Sequence, residues 1–197
     1  MRLYFNRFSR AARIRWLIEE LGVPCEIVTV DLRAGEQFTA AYKAIHPLGK
    51  VPAFVDDDGT VMIESAAILL HLGDKFPGFA PAVPHRAEYY TWLVYGQVTL
   101  EPPVVAYFDA KVAPPEHKRD AVLGDKATLD FRTVVAPIEA RLATRPFILG
   151  DTLSTPDFVI GATLVWANRM GMCEGFPHAQ GYASRIAARP AFEKSRA

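Results

Sequence analysis

The stretch Ile45-His-Pro-Leu-Gly-Lys-Val-Pro-Ala-Phe54 sets a lysine, two prolines and a glycine directly before a short apolar run. Proline normally ends a strand, yet Ala53-Phe54-Val55 reads as one. The Val51-Pro52 bond admits both isomers at modest cost. In trans it belongs to an ordinary loop. In cis it leaves the Val51 N–H and C=O at a sheet edge, where an extended peptide could pair with them as an added strand. Glu64-Ser65 then opens an apolar helical run, and the amides of a helix start attract an anion. Taken singly, Ser65 is accounted for as a helix cap and Lys50 as a solvated turn residue. A second group, Tyr4-Phe-Asn-Arg-Phe-Ser-Arg-Ala-Ala-Arg13, offers two hydroxyls, Tyr4 and Ser9, among Arg7, Arg10, Arg13 and Arg15. A nearby cation stabilises an anion. Arg7 and Arg15 fit a solvated face equally well, which leaves Arg10 as the arginine of interest.

Other chemistries find no support in the residue spacing. His46, His71, His85, His117 and His178 show no metal-ligand spacing, so no metal is expected. His71 lies inside a helical pattern and reads as structural. There is no Gly-rich phosphate loop, no G-x-S-x-G elbow and no H-E-x-x-H. Cys25 and Cys173 are the only cysteines; they stand in no redox or metal spacing and read as buried filler. Lys+Arg and Asp+Glu both number 22, which gives no electrostatic case for nucleic acid or an anionic membrane as partner. The uncharged runs Tyr89–Leu100 and Phe158–Asn168 fall short of the roughly 18 to 20 residues that cross a bilayer. The N-terminus carries no apolar h-region. These features together lead us to expect a soluble cytoplasmic protein.

The elements that must position these residues follow from periodicity. Leu3-Tyr4-Phe5 is β-prone, and Ile14, Leu17, Ile18 and Leu21 share one helical face that Gly22 and Pro24 terminate. Glu26–Val30 is a second strand, and a weakly helical stretch runs from Glu36 to Ala44. Ala53–Val55 and Thr60–Ile63 flank Asp56-Asp57-Asp58-Gly59, a hairpin signal. Ile68, Leu69, Leu72 and Phe76 mark the inner face of the next helix. The order is β-α-β-α-β-β-α, an α/β unit with helices packed on a small mixed sheet. Three prolines and a glycine within 77–84 form a stiff connector, so domains are expected at 1–76 and 85–197. The second reads all-helical. A long helix over Tyr89–Ala110 should bend at Pro102-Pro103; another spans Ala121–Leu142. Ser154-Thr-Pro-Asp157 is a capping box for a buried central helix over Phe158–Trp166.

The ordered set HPLGKVPAF, then IESAAILLHL, then GDTLSTPDF, then the tail Ala187-Ala-Arg-Pro-Ala-Phe192 resembles the glutathione S-transferase family, in its bacterial, cytosolic form, over essentially the whole chain. The resemblance implies a thioredoxin-like N-terminal domain (β-α-β-α-β-β-α) that binds glutathione and an all-α helical-bundle C-terminal domain. It places Val51, before a cis Pro52, on the cysteinyl backbone of glutathione. Glu64 would hold the γ-glutamyl ammonium and Ser65 its carboxylate, with Lys50 and His46 near the glycyl carboxylate. His46 departs from the Asn of many relatives. Ser9 stands where redox relatives carry the first cysteine of C-x-x-C; here the four residues are Ser9-Arg-Ala-Ala12, so dithiol chemistry is absent. The resemblance to serine-type members makes Ser9 the group that activates the thiol, assisted by Arg10, with Tyr4 as the rival.

The implied activity is addition of the glutathione thiolate to a small electrophilic, largely apolar substrate. The implied acceptor pocket is apolar, lies between the domains and involves Phe8, Tyr107 and Phe108. The implied assembly is a homodimer, without metal or organic cofactor. The alternatives are a non-catalytic binding or interaction module of the same fold, and a glutathione-dependent isomerase, dehalogenase or peroxidase.

Overall fold

The computed structural model describes residues 1–115 and 121–197. It divides into two compact units, one made of residues 1–77 with 189–197, the other of residues 78–188.

The first unit is built on four strands: β1 (Arg2–Phe5), β2 (Glu26–Thr29), β3 (Ala53–Val55) and β4 (Val61–Ile63). Their order is β2-β1-β3-β4. β1 and β2 run parallel, as a crossover through a helix requires. β3 runs antiparallel to β1 with Tyr4 opposite Ala53, and the Asp56–Gly59 turn brings β4 back antiparallel to β3. One expectation is corrected here. β3 is an inner strand with a neighbour on each side, so its own edges are taken. The open backbone lies before it, at Val51.

Helix α1 (Ala11–Leu21) ends as its sequence requires, with Gly22 at φ 65° and its N–H on the Ile18 carbonyl at 3.0 Å. Its inner face buries Ile14, Trp16 and Leu17 completely. Helix α2 is a single turn (Ala40–Lys43), preceded by a 3₁₀ turn over Glu36–Phe38. Helix α3 (Ser65–Lys75) buries Ile68, Leu69 and Leu72. Its far end is tied to the hairpin: Lys75 and His71 both bond the Asp56 carboxylate, His71 Nε2 at 2.6 Å. Burial alone would raise the Asp56 carboxyl, but these bonds outweigh it and hold it at about 2.

The C-terminal segment corrects the expected boundary. Residues 189–197 belong to the first unit, not to the helical one. The cause is packing and charge on α1. Phe192 of α9 (Pro190–Lys194) meets the Trp16 ring edge-on at 5.1 Å. Arg189 takes both oxygens of Glu20, at 2.6 and 2.8 Å.

The second unit is helical throughout its described residues. A continuous helical run covers α4 (Arg86–Tyr95), a π turn over Gly96–Leu100, α5 (Glu101–Tyr107) and a second π turn over Phe108–Val112. The first wide turn precedes Pro102-Pro103, so the chain absorbs the two missing N–H donors by widening. Gly96 lets this helix approach α7 (Thr155–Arg169): a Cβ there would stand 2.8 Å from Ile160. α6 (Ala121–Leu142) accommodates Pro137, and α8 (Pro177–Ala187) closes the unit. α7 is the buried helix expected, with Phe158, Val159, Ile160 and Leu164 fully covered.

Asp157 anchors its start. It accepts from the Ser154 amide at 2.8 Å, the Ile148 amide at 2.9 Å and the Tyr182 hydroxyl at 2.7 Å. Burial pushes its pKa up against those donors.

Candidate functional site

Positions of the thiol-activating candidates follow from a tight turn between β1 and α1. The Asn6 amide group donates to the Val30 carbonyl at 3.1 Å, and its side-chain oxygen accepts from the Phe8 N–H at 3.1 Å. This pins residues 6–10 at the end of β2. Ser9 then bridges the turn and the helix: its hydroxyl donates to the Asn6 carbonyl at 2.7 Å and accepts the Ala11 N–H at 3.2 Å. Its oxygen therefore sits at the N-terminal end of α1, where helix amides favour negative charge. Arg10 is exposed and occupies the cap position of α1 with helical dihedrals. Tyr4 lies on β1 with its ring 5.5 Å from that of Tyr42, edge to face.

The HPLGKVP stretch forms a fixed turn leading to a cis Val51-Pro52 bond. His46 is buried; its Nδ1 accepts the Leu48 N–H at 3.3 Å, and its carbonyl accepts the Gly49 N–H at 2.8 Å. Burial lowers its pKa while the Glu64 carboxylate acts to raise it. The structure thus uses His46 to build the turn. Gly49 has φ 59°, and a Cβ on it would lie 2.7 Å from the Gln37 carbonyl oxygen. Lys50 is exposed, Val51 half-buried and Pro52 buried. Among the described residues, the Val51 N–H and C=O make no turn or loop backbone bond, and Val51 lies outside the strands.

Glu64 and Ser65 depart from expectation in detail. The cap position of α3 is Glu64, not Ser65, and Glu64 takes φ 70° and ψ 112°. It is the one non-glycine residue with positive φ among those described, a conformation that costs energy and that surrounding structure must enforce. Ser65 is the first helical residue and is 3% exposed. The first-turn amides of α3 have no intrahelical acceptors and stand beside an exposed carboxylate at Glu64.

The remaining candidates belong to different units. Phe8 is 81% exposed in the first unit, with the Arg7 guanidinium 4.6 Å from its ring centre. Tyr107 and Phe108 belong to the helical unit, where the Phe108 ring lies 5.4 Å from that of Trp166. Among the described residues no group of three or more His, Cys, Asp or Glu could hold a metal; His117 lies outside them. No helix among them is long and apolar enough to cross a membrane. Burial pushes the Cys173 thiol up to about 12, and this cysteine is core filler as expected. Cys25 is only half-buried, which corrects the expectation for it, though burial still pushes its thiol up to about 11.

Residues 1–74 match the family model for the glutathione S-transferase N-terminal domain, and residues 119–188 match that for the C-terminal domain. Glutathione S-transferase 3 of Zea mays is 32% identical over 208 residues, covering 99% of this chain and 92% of the maize protein. The chain belongs to the glutathione S-transferase family. A solved family member from Burkholderia graminis, described with two glutathione molecules per subunit, superposes with a TM-score of 0.86 at 26% identity. It covers 99% of this chain and 86% of its own. Similarity also extends to elongation factor 1-gamma-A of Xenopus laevis, 27% identical over 71% of this chain but only 31% of that protein. Family architecture thus accounts for the thioredoxin-like sheet and the helical unit.

Two residues that sequence reasoning passed over shape the turns carrying the candidate residues. Asn6 fixes the turn that carries Ser9, and Tyr42, only 6% exposed, donates its hydroxyl to the Lys50 carbonyl at 2.6 Å. Asn6 was findable as a turn former between strand and helix. Tyr42 gave no such signal, because its partner lies eight residues on, beyond a turn of special geometry.

Proposed function

We propose that this chain is a glutathione transferase whose Ser9 hydroxyl hydrogen-bonds the glutathione sulfur and stabilises its thiolate. Glutathione lies extended, with its cysteinyl backbone on Val51 before Pro52, its γ-glutamyl end at Glu64 and Ser65, and its glycyl carboxylate by Lys50 and His46. The thiolate forms a sulfur–carbon bond with a small electrophilic, largely apolar acceptor, and the leaving group departs with the electron pair. Arg10 adds positive charge at the same end of α1. Phe8, exposed on the first unit, is the proposed acceptor contact there. The working form is a cytoplasmic homodimer.

The observation that carries this reading is Ser9 Oγ at the N-terminal end of α1, where it already accepts an amide N–H. Lowering the pKa of a thiol from about 8.5 by one unit needs about 1.4 kcal/mol, within reach of one hydrogen bond to a charged acceptor. The glutathione in the Burkholderia graminis structure supports the choice of thiol. The test is turnover of an activated aryl halide with glutathione. Wild type conjugates it and Ser9→Ala is impaired; equal rates for the two proteins overturn the role of Ser9.

A second reading, a non-catalytic module of the same fold, is favoured by one observation. The Ser9 proton is engaged by the Asn6 carbonyl at 2.7 Å, and the hydroxyl must rotate away from it to reach sulfur. Retention on immobilised glutathione without turnover of aryl halide, peroxide or isomerisable substrates would establish that reading.

A further inference from the structure

The loop before Pro52 contains a peptide group whose direction is set by a side chain. Lys50 C=O and Val51 N–H belong to one planar unit, and that bond is trans, since Val51-Pro52 is the cis bond among the described residues. In a trans peptide the carbonyl and the N–H point in opposite directions. Whatever fixes the Lys50 carbonyl therefore fixes the aim of the Val51 N–H. The Tyr42 hydroxyl does so, donating to that carbonyl at 2.6 Å.

The rest of the local structure keeps Tyr42 in place. Thr39 accepts the Tyr42 N–H at 3.3 Å, and the Tyr42 carbonyl receives the amides of Ile45 and His46, both at 2.9 Å. Its ring packs edge-on against Tyr4 of β1, which ties the loop to the sheet. Burial, and then the neighbouring Tyr4, push the Tyr42 phenol up to about 12. The hydroxyl accordingly keeps its proton, and its role as donor, throughout the neutral range.

We propose that Tyr42 is the positioning residue for the peptide backbone of glutathione: by bonding the Lys50 carbonyl it aims the Val51 N–H at the cysteinyl C=O of the bound tripeptide. The inference rests on the transferase reading above and adds to it a residue that touches neither sulfur nor acceptor. Two-point pairing of the Val51 backbone with a guest strand tolerates little rotation of this peptide.

The test compares wild type with Tyr42→Phe, which keeps the ring and removes the donor. Titration calorimetry with glutathione and with S-methylglutathione should show both dissociation constants raised by about two- to tenfold. The glutathione KM should rise in parallel, with kcat at saturation and the pKa of the bound thiol unchanged. A fall in kcat or a shifted thiol pKa with unchanged affinity overturns the proposal, as does unchanged binding of both ligands. Independently of any variant, the Val51 amide in the wild-type protein should shift in its nitrogen–proton NMR correlation and exchange more slowly once S-methylglutathione is bound. An unperturbed Val51 amide in a protein that binds the ligand overturns the positioning role and leaves the transferase reading intact. A wild-type protein that binds neither ligand overturns both.

Discussion

Replacing Ser9 by alanine separates the two tasks of its hydroxyl. In the structure Oγ donates to the Asn6 carbonyl at 2.7 Å and accepts from the Ala11 N–H at 3.2 Å. To serve a bound thiolate it must trade the first bond for one to sulfur. A hydrogen bond to a charged acceptor contributes about 1.5–3 kcal/mol and the neutral one given up about 0.5–1.5 kcal/mol. At mid-range the net gain is about 1.2 kcal/mol, which corresponds to about one pKa unit. The helix N-terminus acts on the sulfur in both proteins and cancels.

Ser9→Ala should therefore raise the pKa of bound glutathione by about one unit and cut turnover at neutral pH about tenfold. The sign follows from ionisation. Where the thiol pKa is depressed, the wild type holds thiolate at a pH where the variant is still protonated. The deficit is full below the wild-type pKa and closes once pH exceeds that of the variant. Thiolate ultraviolet absorbance, titrated with glutathione bound, reads this directly. Loss of the bond to the Ala11 amide should separately lower stability by about 0.5–1.5 kcal/mol in urea. Coincident thiolate titrations for the two proteins would refute the reasoning, and a shift seen in Tyr4→Phe alone would transfer the role to Tyr4.

Three further outcomes probe the scaffold. Gly49→Ala forces an L side chain to φ 59° and into the Gln37 carbonyl 2.7 Å away; it should cost about 2–4 kcal/mol in denaturant unfolding, and a cost under about 0.5 kcal/mol would contradict the packing described. Asp56, held at about 2 by Lys75 and His71 against its burial, stabilises the fold fully above the ordinary carboxylate range and loses that contribution as pH falls toward 2. Asp56→Ala should flatten the acid limb of the stability profile by about 1–2 kcal/mol after solvent screening, and an unchanged limb counts against the clamp. Asp157→Ala strands the amides of Ile148 and Ser154 and the hydroxyl of Tyr182; a loss of about 3–5 kcal/mol is expected, against about 1 kcal/mol for Tyr182→Phe.

Much of this molecule was legible from neighbouring residues. Gly22 marked the end of α1 and Ser154 with Asp157 the start of α7, because caps depend on residues within one turn. The alternation of strands and helices in the first unit and the buried character of α7 followed from hydrophobic periodicity in the same way. The Val51-Pro52 dipeptide showed where an isomer choice existed without deciding it. Ser65 was expected to cap α3, yet the cap position fell to Glu64 at φ 70°; residue preferences do not anticipate a strained dihedral that the surrounding fold imposes.

By itself the sequence determined the order of elements, their punctuation and the family to which they belong. Only the tertiary structure decided that β3 lies between β1 and β4, that residues 189–197 return to α1, and that the Tyr42 hydroxyl governs the peptide before Val51. The physical reason is range. Propensity and capping act over a few residues, whereas strand order, the Trp16–Phe192 and Arg189–Glu20 contacts and the aim of a single peptide group emerge only when distant segments compete to bury the same surfaces and satisfy the same donors.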